Sequence, residues 1–488
     1  MSSTAQGNFA SVAGQEVSTD HWIGGERVAG ARRFEVITPI DGSVIAEVAA
    51  GGAEEADRAV RAAHAAAPAW GALGAAGRAE HLRRLADLID ANVERLAAVE
   101  CADMAMLLES LRLRVIFRAA ANFRNYADLA GAYEERDWHS KGTWNRVQRM
   151  PAGPAAVITP WNAPFMLSTW KVAPALAAGC PVVLKPAEWS PLSCSLLADL
   201  TDEAGFPPGV FNVLQGIGEE VGAALVAHPL LRRVSFTGSP ETARRIGVSA
   251  AGNLVPFTGE LGGKGPLIVF DDADLDAAAA KAAGQYDDAG QVCLAGTRLL
   301  VQQSVREPFL ERFNAAVDRH VLGDPREQAT TLSPLIHPDH LERVDGFVQR
   351  AVAEGQRLVR GGRRGEGLLY EPTLFEPLSN DAEIVQREVF GPVLTFQTFE
   401  HEDEAVALAN STQYGLSGIV YTGSMGRADR IGRAVRAGIV WVNTFLVRDL
   451  TAPFGGVGIS GIGREGGNYA LDFYSDLKTL QILDGSVS

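Results

Sequence analysis

Cys293 stands in the stretch Gly290-Gln291-Val292-Cys293, with two polar groups upstream of it in the chain. Glu260 lies in Glu260-Leu261-Gly262-Gly263-Lys264, and Asn162 lies in Pro160-Trp161-Asn162-Ala163-Pro164. A thiol, a carboxylate and a side-chain amide can supply a nucleophile, a base and an oxyanion donor. Such a set can attack a carbonyl carbon and hold the resulting anion. Each residue alone has a plainer explanation. A single cysteine is more often a core thiol, and Glu260 could cap a helix. Asn162 between two prolines could cap a turn, and Glu388-Val389-Phe390-Gly391-Pro392 could be a β-turn.

The elements that must position these groups follow from pattern. Residues 51–130 are rich in Ala, Arg, Leu and Glu at helical spacing, as from Ala79 to Leu96. From Ala155 the chain repeats strand, loop and helix. Val182-Val183-Leu184, Phe211-Asn212-Val213-Leu214 and Val234-Ser235-Phe236 are the strands, and a second series runs from Leu267 to about Val440. Alternating strands and helices predict an α/β fold with mostly parallel sheets. Ligands of such sheets bind beyond the carboxyl ends of the strands. Lys185 and Glu188 follow one strand and suit ribose hydroxyls. A carboxylate would repel an extra 2′-phosphate, so Glu188 favours NAD over NADP. Gly238-Ser239 opens a helix whose N-terminus suits a pyrophosphate; a plain turn and helix cap is the competing reading.

Composition bounds the rest. A chain of 488 residues exceeds one core, so two or more domains are expected. With 47% hydrophobic and 21% charged residues it reads as an ordinary globular protein. A net charge of -15 argues against nucleic acid or an anionic membrane as partner. No apolar run is long enough to span a bilayer. The first 20 residues carry no secretory pattern and read as a flexible tail. Four scattered cysteines, Cys101, Cys180, Cys194 and Cys293, suit a reducing cytoplasm and no metal site.

Two pattern matches are set aside. Gly461-Ile462-Gly463-Arg464-Glu465-Gly466 fits a dinucleotide template, but a glycine-rich loop precedes it where a strand is required. It reads as a loop near a domain or subunit contact. His337-Pro338-Asp339-His340 lacks a metal-binding helical spacing and reads as a solvated turn.

Taken in order, seven motifs change the weight of the single residues. They are Pro160-Trp161-Asn162, Lys185-Pro186-Ala187-Glu188, Phe236-Thr237-Gly238-Ser239, Glu260-Leu261-Gly262-Gly263-Lys264, Gly290-Gln291-Val292-Cys293, Glu388-Val389-Phe390-Gly391-Pro392 and Pro453-Phe454-Gly455-Gly456. From about His21 to Leu483 the chain resembles the NAD(P)-dependent aldehyde dehydrogenase superfamily. The resemblance implies two Rossmann-like parallel-sheet domains and a small β oligomerisation arm. The cofactor domain would take residues 21–130 and 151–262, the catalytic domain 263–440, and the arm 131–150 and 463–488. It implies NAD as cofactor, a small aldehyde as substrate, and a homodimer or homotetramer.

Residue roles follow by position in that resemblance. Cys293 is the nucleophile, Asn162 the oxyanion donor, Glu260 the base that activates water, and Lys171 a further catalytic residue. Thr159, Pro160, Trp161, Lys185, Glu188, Gly218, Phe236, Thr237, Gly238, Ser239, Leu261, Gly262, Glu388 and Phe390 line the cofactor site. Glu388 holds the nicotinamide ribose and Phe390 packs near the ring. The sequence departs from the family at Gly259, where a loosened loop would let Glu260 swing. It departs also at Ala243, in the phosphate-contacting helix. Asp287 and Asp288 would raise the thiol pKa if they face it.

Within the superfamily the chain looks most similar to hydroxymuconic and carboxymethyl-hydroxymuconic semialdehyde dehydrogenases. The residues are Thr169 to Pro174, Val442-Asn443-Thr444, Arg448-Asp449-Leu450 and Gly463 to Gly467. Those substrates carry carboxylates, for which a guanidinium is the natural partner. Arg448, with Arg124, is therefore expected to grip the substrate, against a structural ion pair to Asp449 or Asp128. Phe165, Trp170, Phe445 and Phe454 complete the substrate residues. Three alternatives stay open: an uncharged aromatic aldehyde in an apolar tunnel, a CoA-acylating enzyme, and a non-catalytic structural member of the fold. Glu260 favours hydrolysis over CoA transfer.

Overall fold

The computed structural model describes residues 8–132 and 136–483. Its strands form where the sequence places short β-branched runs. Val182–Lys185 and Ala155–Ile158 are buried at every position. Continuous burial of this kind marks strands covered on both faces, as a parallel sheet flanked by helices requires.

The first large sheet has eight strands. Their order is Gly461–Ile462, Phe257–Leu261, Arg233–Gly238, Ala155–Ile158, Val182–Lys185, Phe211–Val213, His21–Ile23 and Glu26–Val28. The five strands from 155 to 261 run parallel. The chain proceeds outward from 155–158 to 211–213, then returns to the other side of 155–158. That reversal puts a crevice between the ends of 155–158 and 233–238. Thr159 to Asn162 and Gly238-Ser239 leave the strands there.

The second sheet has seven strands in the order Arg357–Arg360, Thr373–Glu376, Val393–Phe399, Arg298–Gln302, Pro266–Val269, Ser417–Tyr421 and Ile439–Val442. The segment 262–265 joins the carboxyl end of Phe257–Leu261 to the amino end of Pro266–Val269. The carboxyl ends of one sheet therefore meet the amino ends of the other. Cys293 and Glu388 lie in loops that lead into strands of the second sheet, so both sit at that seam.

Three expectations change here. Residues 9–18, read as tail, form the hairpin Phe9–Val12 and Gln15–Ser18. Val12 and Val17 are buried in the core packed on the eight-stranded sheet, which the polar look of the segment concealed. Residues 1–7 lie outside the described residues, as do 133–135 and 484–488 of the arm. The arm itself is a three-stranded antiparallel sheet of Arg136–Ser140, Thr143–Pro151 and Ser475–Leu483. Its carboxyl part starts later than 463, because the helix Gly467–Phe473 contributes Ala470 and Leu471 to the core packed on the eight-stranded sheet. Finally, Gly259 and Glu260 lie in a strand rather than a loop. That strand is paired on both sides, to Arg233–Gly238 and to Gly461–Ile462.

Candidate active site

Cys293 is half-buried and packs against an apolar cluster that includes Trp170, Leu294 and Phe454, with Phe445 also at its edge. Its loop is tightly specified. Asp288, Ala289 and Gly290 all adopt left-handed backbone, with φ of 54°, 55° and 66°. The Asn162 amide donates to the Gln291 carbonyl at 2.9 Å, and the Gln291 side chain accepts from the Ile336 N–H at 3.0 Å. Gly263 packs so closely that a Cβ would lie 2.4 Å from the Cys293 carbonyl oxygen. Burial pushes the thiol up to about 12, and the Glu388 and Glu260 carboxylates add to this while Arg448 opposes it. Asp287 and Asp288 are themselves pushed up to about 6 by burial. The carboxylates that the thiol feels most are Glu388 and Glu260.

Glu260 is buried, and neither of its carboxylate oxygens has a hydrogen-bond partner among the described residues. Burial, then the Glu465 charge, raises it well above the usual carboxylate range, with Lys171 opposing. Gly455 makes room for it: a Cβ there would fall 2.8 Å from Glu260 Oε1. Lys171 is fully buried and donates to Glu465 at 2.5 Å and to Ser235 at 3.1 Å. Glu465 also accepts from the Trp170 indole at 2.7 Å. The glycine-rich stretch 461–466, which is no nucleotide motif, thus wraps the candidate base. It pairs with the base's strand and delivers Glu465 beneath it. Sequence alone does not single out Glu465; a lone acid in a glycine-rich loop gives no signal until its partner Lys171 is in place.

The cofactor candidates assemble along the crevice. Lys185 and Glu188 form an ion pair at 2.7 Å. Burial works against the Glu188 charge, but Lys185 outweighs it and holds Glu188 below its ordinary value. Gly218 closes the same corner, its missing Cβ 3.8 Å from Lys185 Nζ. Ser239 caps the helix Pro240–Gly252, its hydroxyl accepting from the Thr242 N–H at 3.1 Å. Ala243 is buried in the core on that helix. The Phe236 ring lies against Gly238, where a Cβ would fall 2.4 Å from it. Glu388 accepts from the Gly263 N–H at 2.7 Å, and a Cβ on Gly262 would sit 2.0 Å from its carboxylate. Thr159 bonds Ser168 at 2.9 Å beneath the crevice. A paired carboxylate at one end, a helix N-terminus between, and a second carboxylate beside the thiol fit an extended dinucleotide. The substitution Glu188→Ser is expected to weaken the preference for NAD by about tenfold or more, since repulsion of a 2′-phosphate is lost. Comparing kcat/KM for NAD and NADP checks this; undiminished discrimination would refute it.

The substrate candidates divide. Trp170 is buried, with the Phe454 ring edge-on at 6.4 Å and Tyr126 at 6.3 Å. Phe445 is half-buried, edge-on to Trp441 at 5.3 Å. The Arg448 guanidinium lies 3.9 Å from the Phe454 ring centroid and 5.3 Å from that of Trp170. Neither ion pair offered as its alternative forms: Asp449 holds Thr451, and Asp128 pairs with Arg83. Phe165 does not join this group, being fully buried in the separate core against the eight-stranded sheet. Arg124 is excluded too. It pairs with Asp87 at 2.6 Å and Asp90 at 2.7 Å on the neighbouring helix Gly74–Ala91. Arg118, by contrast, reaches the Trp170 ring, at 5.8 Å. It lies on the same helix as Arg124, Ile116–Gly131. A separation of six residues is nearly two turns but roughly 120° out of phase, so the two arginines face different neighbours.

The stretch His337 to His340 is not a solvated turn. His337 caps the helix Pro338–Ala353 and stacks on Trp189 at 4.5 Å, while His340 is only 4% exposed. Trp161 presents its ring to Trp189, His340 and Phe390. It therefore lines the crevice through its side chain as well as its backbone. No helix among the described residues is long and apolar enough to cross a membrane.

Comparison with known proteins agrees with this geometry. The sequence profile of the aldehyde dehydrogenase family matches residues 26–480. The chain is 41% identical to 2-hydroxymuconic semialdehyde dehydrogenase of a Pseudomonas species, over 94% of this chain and 98% of the relative. It is also 41% identical to (Z)-2-((N-methylformamido)methylene)-5-hydroxybutyrolactone dehydrogenase of Acinetobacter baylyi, over 94% of this chain and 96% of the relative. Among solved structures, indole-3-acetaldehyde dehydrogenase in complex with NAD+ superposes with a TM-score of 0.94 at 38% identity, covering 96% of this chain and 97% of that one. Seam, thiol, buried carboxylate and these matches lead to one conclusion: the chain belongs to the aldehyde dehydrogenase family, and is an NAD-dependent enzyme that oxidises aldehydes.

Proposed function

We propose that the enzyme converts a carboxylate-bearing semialdehyde, of the kind produced by aromatic-ring cleavage, to the corresponding diacid. The observation that carries this is a pair of guanidiniums that share the Trp170 ring, one of which, Arg448, acts on the nucleophile. Arg448 and Arg118 both stack on Trp170, and neither has a carboxylate partner among the described residues. Burial, and then the Arg448 charge, push Arg118 down to about 10. Arg118 is crowded by Arg448 with no carboxylate among the described residues acting on it, and Arg448 feels the Glu260 and Glu465 charges without pairing to either; a substrate carboxylate would give both a partner. The names of the relatives support the same substrate class.

Each residue of the site then has a step. Cys293 gives up its thiol proton to solvent, the thiolate attacks the aldehyde carbon, and the Asn162 amide with the Cys293 backbone N–H binds the oxyanion. NAD, when bound, supplies the hydride acceptor. The acyl group is then a thioester on Cys293. Glu260 takes a proton from water, hydroxide adds to the thioester carbon, and the thiolate leaves. Lys171 and Glu465 hold the charge balance behind Glu260. Lys185 and Glu188 take the adenosine ribose, and Glu388 the nicotinamide ribose. The exposed strand Arg136–Ser140 at the edge of the arm supports pairing with a second copy, as homodimer or homotetramer. Free thiols at all four cysteines support a cytoplasmic setting.

The test compares Arg448→Met and Arg118→Met on an acidic semialdehyde and on benzaldehyde. Loss of a buried charge partner costs about 2–4 kcal/mol, so kcat/KM for the acidic substrate is expected to fall roughly 30- to 1000-fold. Benzaldehyde should change by less than about threefold, having no carboxylate to lose. An equal fall for both aldehydes would assign the arginines to packing alone.

A further inference from the structure

Three consecutive carbonyls of the loop 388–390 are held by two side chains of one helix. Arg343 donates through Nη2 to the Glu388 carbonyl at 2.9 Å and through Nη1 to the Val389 carbonyl. His340, one turn earlier, bonds the Phe390 carbonyl through Nε2 at 2.7 Å. A carbonyl only accepts, so Nε2 carries the proton. Burial lowers His340 to about 4, which keeps the ring neutral with Nδ1 unprotonated. The grip has something to oppose. Phe390 has φ of 61°, a left-handed conformation that a non-glycine residue adopts only when its surroundings impose it. Its ring is also fixed by aromatic contact, with Trp161 at 5.3 Å and His340 at 6.2 Å. Trp161 in turn meets His340 at 5.0 Å.

We infer that His340 and Arg343 are positioning residues for the cofactor site, clamping the backbone of Glu388 to Phe390 so that carboxylate and ring face the crevice in a fixed relation. The clamp belongs to the catalytic domain, and Trp161 belongs to the cofactor domain beside the oxyanion donor Asn162. One aromatic contact therefore ties the position of the ring to that of the amide. This inference rests on the reading that Glu388 and Phe390 meet the nicotinamide half of NAD.

The experiment titrates NAD+ into the resting full-length enzyme by calorimetry, with no aldehyde present. His340→Ala is expected to raise the Kd for NAD+ about tenfold, the effect of one buried hydrogen bond and the strain it restrains. His340→Gln, which restores an N–H donor, is expected to return the Kd to within about threefold of the parent. Arg343→Met should act like His340→Ala, and Arg343→Lys should rescue it in part. Glu388→Ala serves as the control for the underlying reading. If Glu388→Ala weakens NAD+ binding and His340→Ala does not, the clamp is refuted. If neither variant changes the Kd, the reading of the loop as a nicotinamide contact fails, and the clamp falls with it. If His340→Ala weakens binding but His340→Gln fails to restore it, the residue acts by packing and not as a donor.

Discussion

Glu260→Gln is expected to turn the enzyme into a single-turnover catalyst. NADH should appear in a burst near one equivalent per site and then slow by a factor of about 10²–10⁴, the usual contribution of a positioned general base. The reason lies in the division of labour at the site. Once the thiol proton has gone to solvent, attack by the thiolate and departure of hydride need no proton accepted by Glu260, whereas hydrolysis of the thioester does. Glutamine keeps the shape of the side chain but cannot take the proton. Burial and Glu465 raise the wild-type carboxyl well above its ordinary value, so it is readily protonated. A protonated acid is no base, and steady-state turnover of the wild type should therefore fall as pH is lowered through that raised value while the burst persists. Stopped-flow absorbance of NADH reads both phases. Loss of the burst together with the slow phase would place Glu260 before the thioester and contradict the assignment.

The second large effect is expected at the sulfur. Cys293→Ala should lower aldehyde-dependent NADH formation by about 10⁴-fold or more, as removal of a covalent nucleophile does elsewhere. NAD+ affinity should change by less than about threefold, because the residues assigned to the ribose and phosphates are untouched. Stability should hardly move, since the side chain is small and half-buried. The pairing of these readouts matters: lost chemistry with intact binding identifies a nucleophile, whereas joint loss identifies a damaged loop. Residual NADH formation above about one hundredth of the parent would mean that another group attacks the aldehyde.

Much of this site is legible in the amino-acid sequence itself, and the part that is not has a common cause. Cys293, Glu260, Asn162 and Glu388 stand in loops or at strand ends with glycines or prolines close by. Glycine at 262 and 263 is demanded by close approach of other groups, so the motifs carry geometry as well as residue type. The strands Ala155–Ile158 and Val182–Lys185 are equally plain, because full burial writes a nearly unbroken apolar run, whereas Phe257–Leu261, with Thr258, Gly259 and Glu260 inside it, reads as a loop. Helical phase is harder to read. Arg124 and Arg118 share a helix, yet only the latter reaches Trp170; the difference is fixed by Asp87 and Asp90 on another helix. Phe165 and Trp170 share a helix too, and the first turns into the core while the second faces the thiol. The roles of Glu465 and His340 depend on partners far along the chain, Lys171 for the one and the strained loop at Phe390 for the other. The hairpin at 9–18 looks like a tail because its buried valines are few and its other residues mostly polar.

The thiol of Cys293 has one more consequence, in redox behaviour. Peroxides and alkylating agents react with a thiolate and scarcely with a thiol. Burial raises the group, and the Glu388 and Glu260 carboxylates add to this, so the resting enzyme favours the thiol over the thiolate. The nucleophile is thereby armoured against adventitious oxidation while idle. Whatever relieves the two carboxylates near it on loading the site also exposes it to damage. Oxidative inactivation should accordingly follow the working enzyme and spare the empty one, making the duty cycle of this protein, more than its age, the measure of its wear.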